Sequence, residues 1–482
     1  MYKIKVLPNG CVLHADGGET LLSLLRRGAI LSDAPCGGQG TCGKCRVIVD
    51  GEEVLSCVTV VDRDMTVTIP KREAIQVLAE RSVSGGQANS SEEGFLLAVD
   101  IGTTTLAGCL LDGRSEKVLA AKGMLNPQTA YGADVISRIR YEKEHPGELT
   151  GVIRSAVNEL ATLLCAETEA EAAEIRTVSI VGNPAMQQLF MGLGTKNLSE
   201  IPFAPVITRA MEAEAAIYLN TCGNAKLRIV PNVSGFLGSD IIGGILATGM
   251  DRSSELILLV DIGTNGEMVL GNCERLAACS TAAGPALEGA NIQCGMRAKK
   301  GAIDHVRWEN DSFCCSVIGG GEAEGICGSG LIDAVAAAMD AGLLNARGRI
   351  LNEDRVLRLS EKVILTQEDI RQVQLAKGAV AAGVELLARQ LGVSLSDIDR
   401  VYLAGAFGAY LDGASACRMG LLPSALAGKI TAAGNAALEG AKMLAWDRVQ
   451  LDRAQMLTKK VELVELAEHS EFPRAFARNM RF

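Results

Sequence analysis

The chain has 482 residues, of which 48% are hydrophobic and 22% charged, and its net charge is −10. This balance is typical of folded globular protein, and at roughly 150 residues per domain the length predicts about three domains. The negative charge disfavours nucleic acid or an anionic membrane as a partner. Since no apolar run approaches the ~18 residues of a spanning helix and no signal segment opens the chain, we expect a soluble, cytoplasmic protein. Abundant glycine and few aromatic residues suit an α/β protein with many tight turns.

The chain contains 15 cysteines, an odd number that does not indicate a disulfide framework in a cytoplasmic protein. Four of them lie within 36–57, with spacings of x5, x2 and x11, and glycines separate the first three. The loop resembles those of [2Fe–2S] ferredoxin domains, because glycine lets the backbone wrap closely around a cluster. We expect a [2Fe–2S] cluster, with zinc or a [4Fe–4S] cluster as alternatives. The predicted ligands are Cys36, Cys42, Cys45 and Cys57.

The segments around this loop have the order of a β-grasp ferredoxin domain, which we place at residues 1–75. Alternating apolar residues predict two strands that meet at a Pro-Asn-Gly turn, followed by a short helix, the cysteine loop and further strands. The predicted elements are strands over 2–7 and 10–14, a helix over Thr20–Arg27, and strands over Arg46–Val49 and Met65–Ile69.

A linker is predicted after this domain, over residues 76–94. Residues 82–94 read SVSGGQANSSEEG, which is small, polar and nearly free of apolar side chains. This composition is typical of a flexible chain between domains. We therefore expect the linker to tether the N-terminal domain to the rest of the protein.

An internal repeat follows, because LLAVDIGTTTLAGCLLD at 96–112 matches LILLVDIGTNGEMVLG at 256–271. Each copy is an apolar strand followed by Asp-x-Gly-Thr, with Asp100 and Asp261 as the acids. Such a turn can offer N–H groups and polar side chains to phosphate oxygens, and its carboxylate can hold Mg²⁺ through water. The repeat therefore predicts two phosphate-binding loops, and the alternative is a pair of ordinary hairpins. The predicted phosphate ligands are Gly102, Thr103, Thr104, Gly263, Thr264 and Asn265.

A third glycine-rich turn, LAGAFG, comes after both phosphate loops. Its Gly405 and Gly408 would let the backbone approach a flat adenosine closely. This order of motifs resembles the ASKHA superfamily, which includes acetate and sugar kinases, Hsp70 and actin. The resemblance implies a duplicated RNase H-like ATPase that clamps ATP–Mg²⁺ between its lobes, which we place at 95–255 and 256–482.

Two more stretches resemble the connecting motifs of that superfamily. Within 178–192, Gly182 and Asn183 are expected at a strand-to-helix turn, and within 325–339 a glycine turn leads into an amphipathic helix. The sequence GGGEAEGICGSG at 319–330 also looks like a dinucleotide-binding fingerprint, but no acidic residue follows at the required distance. The absence of G-x-x-x-x-G-K-[ST] excludes a P-loop.

The combination of a [2Fe–2S] domain with an ASKHA ATPase resembles the reductive activators of corrinoid proteins. The similarity extends over nearly the whole chain, and it is carried by CGGQGTCGKC, VDIGTTT, NPQTAYGADVISRI, GNPAMQQLF, VDIGTNGE, TAAGPALEGANI, ICGSGLIDA, LAGAFG, GNAALEGAKML and VELAEHSEFPRAF. Many relatives have an additional domain after the ferredoxin, for which the interval between Ile69 and Leu96 is too short.

This resemblance implies an ATP-hydrolysing iron–sulfur reductase that delivers one electron from its cluster to an inactive Co(II) corrinoid, giving Co(I). The implied partners are a corrinoid protein of a methyltransferase system and an external low-potential electron donor. A homodimer through the ASKHA domain is a further expectation.

Five acidic residues are candidates for catalysis. Asp100 and Asp261 are expected to hold Mg²⁺ and orient water, and Glu267, just after the second phosphate loop, could polarise water. Asp134 in YGADVISRI and Asp240 in GFLGSDIIGG are also candidates, although each suits a helix cap equally well.

Two other functions compete with this interpretation. Activators of 2-hydroxyacyl-CoA dehydratases are also ASKHA ATPases, but they share a [4Fe–4S] cluster between subunits and have no N-terminal ferredoxin domain. A non-redox small-molecule kinase would require a pocket for a phosphoryl acceptor.

Overall fold

The computed structural model describes the chain in segments that are separated by gaps. The described residues are 1–8, 10–28, 30, 38, 40, 45–69, 93–405 and 411–482. Most of the linker predicted over 76–94 lies outside these residues, as do Cys36, Cys42 and Gly408. Within the described ranges, no helix is both long enough and apolar enough to cross a membrane.

The N-terminal residues form a five-stranded mixed sheet with one helix packed on it. The elements are β1 (Tyr2–Leu7), β2 (Cys11–Ala15), α1 (Leu21–Arg27), β3 (Arg46–Val49), β4 (Glu52–Leu55) and β5 (Met65–Thr68). The strand order is β2-β1-β5-β3-β4, with β1 antiparallel to β2 and parallel to β5. Leu21 and Leu24 of α1 share an apolar core with Ile4 and Val67 of the sheet. This arrangement confirms the predicted β-grasp fold; β4 was not predicted, because its sequence EEVL offers only two apolar side chains.

The first lobe of the remaining chain has a six-stranded sheet of order β10-β11-β9-β6-β7-β8. Its elements are β6 (Phe95–Ile101), β7 (Thr105–Asp112), β8 (Val118–Leu125), α2 (Val135–Glu144), α3 (Glu148–Cys165), β9 (Ile175–Gly182), α4 (Pro184–Met191), β10 (Met211–Glu214), β11 (Lys226–Ile229) and α5 (Ser239–Thr248).

The second lobe has a six-stranded sheet of order β21-β20-β12-β13-β14-β22 and two smaller sheets. Its elements are β12 (Ile257–Ile262), β13 (Gly266–Gly271), β14 (Leu276–Thr281), β15 (Ala302–Glu309), β16 (Ser312–Val317), β17 (Gly325–Ile326), α6 (Gly328–Asp340), β18 (Val356–Arg358), β19 (Ile364–Thr366), α7 (Gln367–Leu391), β20 (Arg400–Ala404), α8 (Gly413–Arg418), β21 (Ile430–Gly434), α9 (Ala436–Trp446), α10 (Val449–Lys460), β22 (Val461–Leu463) and α11 (Phe472–Asn479).

The two lobes repeat one strand pattern. In each, three consecutive antiparallel strands are followed by a strand that pairs in parallel with the first of them. Another parallel strand extends each sheet, β11 beside β9 and β21 beside β20. This pattern confirms the predicted duplication of RNase H-like lobes. The lobes differ most between their third and fourth core strands, where residues 126–174 stand in the first lobe and the longer segment 282–399 in the second.

A layer made of α5 and α9 joins the lobes. Ile242 of α5 and Leu438 of α9 belong to one apolar core with Leu96 of the first sheet and Leu259 of the second. Burial of this apolar area from both sheets stabilises the association of the lobes. The two sheets between which the nucleotide site is predicted therefore share one apolar core.

The helices α5 and α9 cross with their backbones in contact. A side-chain carbon at Gly440 of α9 would overlap the carbonyl oxygen of Gly243 of α5, so both positions require glycine for this approach. At the end of α9, Trp446 Nε1 donates a hydrogen bond of 3.1 Å to the carbonyl oxygen of Asp112 in β7. Although α9 follows the second sheet in sequence, it is anchored on the first.

Candidate functional site

The first predicted phosphate loop connects β6 to β7 and is held from one side. Its three consecutive carbonyl oxygens all accept hydrogen bonds from the segment that follows β8. Asn126 Nδ2 donates to Gly102 O at 2.8 Å, and the Asn126 N–H donates to Thr104 O at 2.9 Å. The guanidinium of Arg138, which is fully buried, donates to Thr103 O. These bonds fix the loop through its carbonyl groups, which is the arrangement expected of a turn that offers N–H groups to an anion.

A side chain from α4 fixes the same loop from another direction. Asn183 lies at the predicted turn between β9 and α4, where its Oδ1 caps the helix by accepting from the Met186 N–H. Its Nδ2 donates to Thr103 Oγ1 at 3.0 Å. The connecting motif predicted at 178–192 therefore contributes directly to the phosphate loop.

The second phosphate loop connects β12 to β13 and is bridged to the first by a glutamate. The Gly263 N–H donates to Asn265 O at 2.9 Å, which closes the turn. Glu288 accepts from Thr264 Oγ1 at 3.4 Å and from Thr104 Oγ1, in the other lobe, at 3.2 Å. Sequence analysis did not assign Glu288 a role, although it belongs to the TAAGPALEGANI motif. One carboxylate thus contacts both phosphate loops.

Five carboxyl groups lie close enough at the ends of β6 and β12 to influence one another, and we call them the acid cluster. Asp261 is paired in register with Glu267 across β12 and β13. Asp240 comes from the first turn of α5, where its Oδ1 accepts from the Ile241 N–H at 2.8 Å. The members of the acid cluster are Asp100, Asp240, Asp261, Glu267 and Glu288.

Burial raises the pKa of every carboxyl group in the acid cluster, and repulsion from neighbouring acids adds to this effect at Asp100, Asp261 and Glu267. Desolvation raises the pKa of Asp261 to about 8, and the neighbouring Asp240, Asp100 and Glu288 charges add to the effect. Desolvation also raises the pKa of Asp100 to about 7, against a lowering contribution from a hydrogen bond with Asn435. Like charges confined in this way favour binding of a cation.

The remaining members show the same trend. Desolvation raises the pKa of Asp240 to about 6, although backbone N–H groups partly offset it. The pKa of Glu267 lies well above its usual range because of desolvation, then repulsion from Asp240 and Asp261. Desolvation raises the pKa of Glu288 as well, and its bonds to the two threonines act in the opposite direction.

The acid cluster fits Mg²⁺ that arrives with a nucleotide. Protein sites commonly hold Mg²⁺ with one or two carboxylates, and waters and phosphate oxygens complete its octahedral shell. In the described part of the chain, no three His, Cys, Asp or Glu side chains are positioned to chelate a metal by themselves.

Asn435 and Gly405, both in the second lobe, lie beside Asp100 and Asp261 respectively. Asn435 caps α9 through its Oδ1, which accepts from the Leu438 N–H, and its Nδ2 donates to Asp100 Oδ2 at 2.8 Å. Gly405 has a φ of +104°, and a side-chain carbon there would lie 3.0 Å from Asp261 Oδ1. Gly405 thus borders the acid cluster. The contact of Gly405 with adenosine stays a prediction. Gly408 lies outside the described residues.

Asp134 has the helix-cap role that was the alternative to catalysis. It is the N-cap of α2, and its Oδ1 accepts from the Ser137 N–H at 2.8 Å. The residue is exposed, and its charge does not contribute to the pKa shifts of the acid cluster. We therefore do not place Asp134 in the catalytic site. Asp240, by contrast, belongs to the acid cluster although it too begins a helix.

The cysteine site is described in part. Cys45 precedes β3 and Cys57 follows β4, both are buried, and their sulfurs lie 3.2 Å apart. Gly38 and Gly40 have φ values of +98° and +74°, and a side-chain carbon at Gly38 would lie 3.2 Å from Leu22 Cδ2. Glycine therefore lets the loop pass close to the helix. Two adjacent buried thiols under such a loop fit a [2Fe–2S] cluster; the predicted ligands Cys36 and Cys42 lie outside the described residues.

Family models match nearly the whole chain. Residues 4–67 match a 2Fe-2S iron-sulfur cluster binding domain, residues 95–253 the RACo middle region, and residues 255–482 the C-terminal domain of RACo, the ASKHA domain. These matches agree with the [2Fe–2S] domain and the ATPase that the sequence predicts.

Individual relatives show the same relationship. The corrinoid activation enzyme RamQ of Eubacterium limosum is 34% identical over 418 residues, which cover 80% of this chain and 70% of that protein. A [Co(II) methylated amine-specific corrinoid protein] reductase of Methanosarcina barkeri is 26% identical, over 76% of this chain and 72% of that protein. A solved structure of a reductive activator for a corrinoid, iron–sulfur protein superposes with a TM-score of 0.73 and 28% identity, covering 100% of this chain and 98% of its own. The chain therefore belongs to the family of reductive activators of corrinoid proteins, in which a [2Fe–2S] domain is joined to an ASKHA ATPase.

Proposed function

We propose that this protein hydrolyses ATP between its two lobes and uses the reaction to transfer one electron from its [2Fe–2S] cluster to a Co(II) corrinoid bound to a partner protein. The product is Co(I), and the cluster is oxidised by one electron. The observation that carries the proposal is the presence, in one chain, of a buried thiol pair and of an acid cluster shared by two phosphate loops. The names of the relatives support the corrinoid protein as the acceptor.

The need for ATP follows from the energetics of the electron transfer. Each 59 mV of mismatch in a one-electron transfer corresponds to about 1.4 kcal/mol, so a donor of insufficient potential requires several kcal/mol. ATP can supply this free energy only if it binds two conformations of the protein with different affinity. Two lobes that are joined by the crossing of α5 and α9 can form such a two-state element.

The chain's own residues have distinct tasks at the nucleotide. Thr103, Thr104 and Thr264 present backbone N–H and hydroxyl groups to the phosphates of ATP. Asp261 and Asp100 hold Mg²⁺, which neutralises the developing phosphate charge when it is bound. Asp240 and Glu267 supply the carboxylates that orient the attacking water and accept its proton. The hydroxyl oxygen then forms a bond to the γ-phosphorus while the bond to the leaving ADP breaks, which gives inorganic phosphate.

Cation binding has to compete with protons in this site. Because the carboxyl groups have raised pKa values, the acid cluster binds protons near neutral pH until a cation displaces them. We therefore expect Mg²⁺–nucleotide to bind more tightly as the pH rises from 6 to 8 and to release protons as it binds. An external low-potential donor reloads the cluster after each transfer. Self-association through the ASKHA domain stays a prediction.

The experiment is an anaerobic reconstitution of the full chain with a Co(II) corrinoid protein from a methyltransferase system, a weak reductant and ATP–Mg²⁺. We expect the Co(II) absorption to be replaced by that of Co(I) only when ATP is present. Cys57→Ser is the matched variant, because it should lose the cluster and the Co(I) signal while ATP hydrolysis by the lobes continues. Equal Co(I) formation without ATP, or with Cys57→Ser, would contradict the proposal.

A further inference from the structure

Arg26 of the N-terminal domain contacts the first lobe. Arg26, in the last turn of α1, donates through its guanidinium to the carbonyl oxygen of Ala130. Its guanidinium carbon lies 5.0 Å from the ring centre of Tyr131 and 5.9 Å from that of Tyr141. A planar cation over an aromatic face is a favourable arrangement, and its energy increases when the pair is removed from water. The contact is thus more specific than incidental proximity of two surfaces.

The surface of the first lobe that contacts Arg26 consists of residues that also contact one another. The rings of Tyr131 and Tyr141 meet edge to face with centres 4.9 Å apart, and His145 stacks on Tyr141 at 4.4 Å. Tyr141 Oη donates to Glu148 Oε2 at 2.9 Å, which places a carboxylate beside the aromatic pair. Aromatic faces with an adjacent negative charge are suited to a guanidinium.

The neighbouring arginine has no part in this contact. The guanidinium of Arg27 donates to Glu19 Oε1 at 2.7 Å and to His14 O at 2.9 Å, both within the N-terminal domain. Arg26 and Arg27 therefore carry the same charge at adjacent positions but face different domains. This difference provides a matched pair of substitutions.

The segment that receives Arg26 is the one that holds the first phosphate loop. Asn126 and Arg138 supply all the hydrogen bonds to the carbonyl oxygens of that loop described above. Arg138 Nε also donates to Gly132 O at 3.0 Å, and Gly132 directly follows Tyr131. Residues 126–141 thus contact the phosphate loop with one side and Arg26 with the other. Their sequence, NPQTAYGADVISRI with its flanks, has no role in the proposed chemistry of ATP or cobalt.

From this double contact we infer that segment 126–141 couples nucleotide binding at the first phosphate loop to docking of the N-terminal domain on the first lobe. A shift of the loop on binding phosphate moves Arg138 and Gly132, and with them the adjoining Ala130 carbonyl group and Tyr131 ring that receive Arg26. The inference deepens the proposed function, because it assigns a route by which ATP controls where the cluster domain lies. Coupling between two sites is reciprocal, so docking changes nucleotide affinity by the same factor as nucleotide changes docking.

The first test measures nucleotide affinity in the full chain with a fluorescent, slowly hydrolysed ATP analogue and Mg²⁺. Arg26→Ala should change Kd by at least about fivefold, the lower range of measured couplings, whereas Arg27→Ala should change it by less than about twofold. Both variants remove one positive charge from α1, so a general electrostatic effect on the anionic ligand would appear in both. The [2Fe–2S] absorption of each variant reports that the N-terminal domain is folded.

The second test measures docking by hydrogen exchange in α1 and in residues 126–141 of the wild-type chain, with and without the analogue. Reciprocity fixes the sign. If Arg26→Ala tightens nucleotide binding, the analogue must increase exchange in α1; if it weakens binding, the analogue must decrease it. Equal Kd values in both variants, or a change in exchange of the opposite sign, would overturn the inference while leaving the proposed function intact. Failure of the wild-type chain to bind the analogue would overturn the proposed function itself.

Discussion

Asp100 and Asp261 occupy equivalent positions in the two lobes, yet their surroundings differ. Asp100 accepts a hydrogen bond of 2.8 Å from Asn435, which belongs to the opposite lobe. In the part of the chain that the structure describes, no side chain donates to Asp261, which instead lies opposite Glu267 and beside the backbone of Gly405. Its pKa, raised to about 8, accordingly exceeds that of Asp100, raised to about 7. Duplication preserved the backbone of the motif, whereas the two acids have different neighbours. We propose that both acids hold Mg²⁺, with Asp261 as the principal ligand and with the orientation of Asp100 dependent on contact between the lobes.

The largest expected effect is on ATP turnover by Asp261→Asn. The substitution keeps the size of the side chain but removes the charge that balances Mg²⁺, so we expect kcat to fall by about a thousandfold. Asp452→Asn, at an exposed position in the same lobe, should leave kcat unchanged. Turnover by Asp261→Asn within tenfold of the wild-type value would contradict the assignment of Asp261 as the principal Mg²⁺ ligand.

A smaller effect is expected at the bridge between the loops. Glu288→Ala removes the carboxylate that contacts Thr104 and Thr264, so the lobes lose a polar connection at the phosphates. We expect Kd for ATP–Mg²⁺ to rise by about tenfold, equivalent to 1.4 kcal/mol. Glu322→Ala is the control, because Glu322 is exposed and forms a surface ion pair with Lys362. Equal affinity in the two variants would remove Glu288 from the site.

Asn435→Ser tests how much of the difference between the two aspartates depends on the hydrogen bond to Asp100. Serine retains the ability to cap α9 but does not reach Asp100, so the hydrogen bond that lowers the pKa of Asp100 is lost. The acidic limb of the pH–rate profile should then move to higher pH by about one unit, with kcat about fivefold lower at pH 7 and restored near pH 9. A loss of kcat that persists at high pH would indicate damage to the helix instead.

The smallest expected effect is on stability in the absence of nucleotide. Burial raises the pKa of Asp261 to about 8 from a reference value of 3.8, so the folded state binds this proton more tightly than the unfolded chain. The free energy of unfolding contributed by this group therefore falls as the pH rises from about 4 to about 8. Asp261→Asn removes that dependence, and its melting temperature should exceed that of wild type by about 3 °C at pH 8 and match it at pH 4. A lower melting temperature at pH 8 would mean that Asp261 is paired in the free protein.

Local sequence patterns predicted the parts of the site that depend on local structure. The strands that carry Asp100 and Asp261 are apolar runs followed by a glycine turn, and the structure has strands there, β6 and β12. The turn at Gly182 and Asn183 was predicted for the same reason. The structure of these segments could be predicted because it depends on residues that are close in sequence.

Contacts between distant segments were not predictable. Glu288 lies 184 residues from Thr104, and Asn435 lies 335 residues from Asp100, so no local pattern joins them. Asn435 does show an N-cap pattern, since it directly precedes a helix, but this pattern does not reveal what its amide contacts. The same limit explains Asp134 and Asp240. Both begin helices, and only the packing of α5 against α9 and the strands β9, β12 and β13 distinguishes the buried acid from the exposed cap.

The hydrogen bond between Trp446 and Asp112 gives the protein an intrinsic optical probe. The chain has two tryptophans, and the other, Trp308, packs against Phe313 in β15 and β16, far in sequence from the crossing helices. Trp308→Phe would leave Trp446 as the sole indole fluorophore, with its N–H bonded to a carbonyl of the opposite lobe. Indole emission depends on the polarity around that N–H, so a displacement of α9 relative to the first sheet would shift the emission maximum. Movement of α9 on the first lobe could then be followed in real time, in dilute solution and without any attached label.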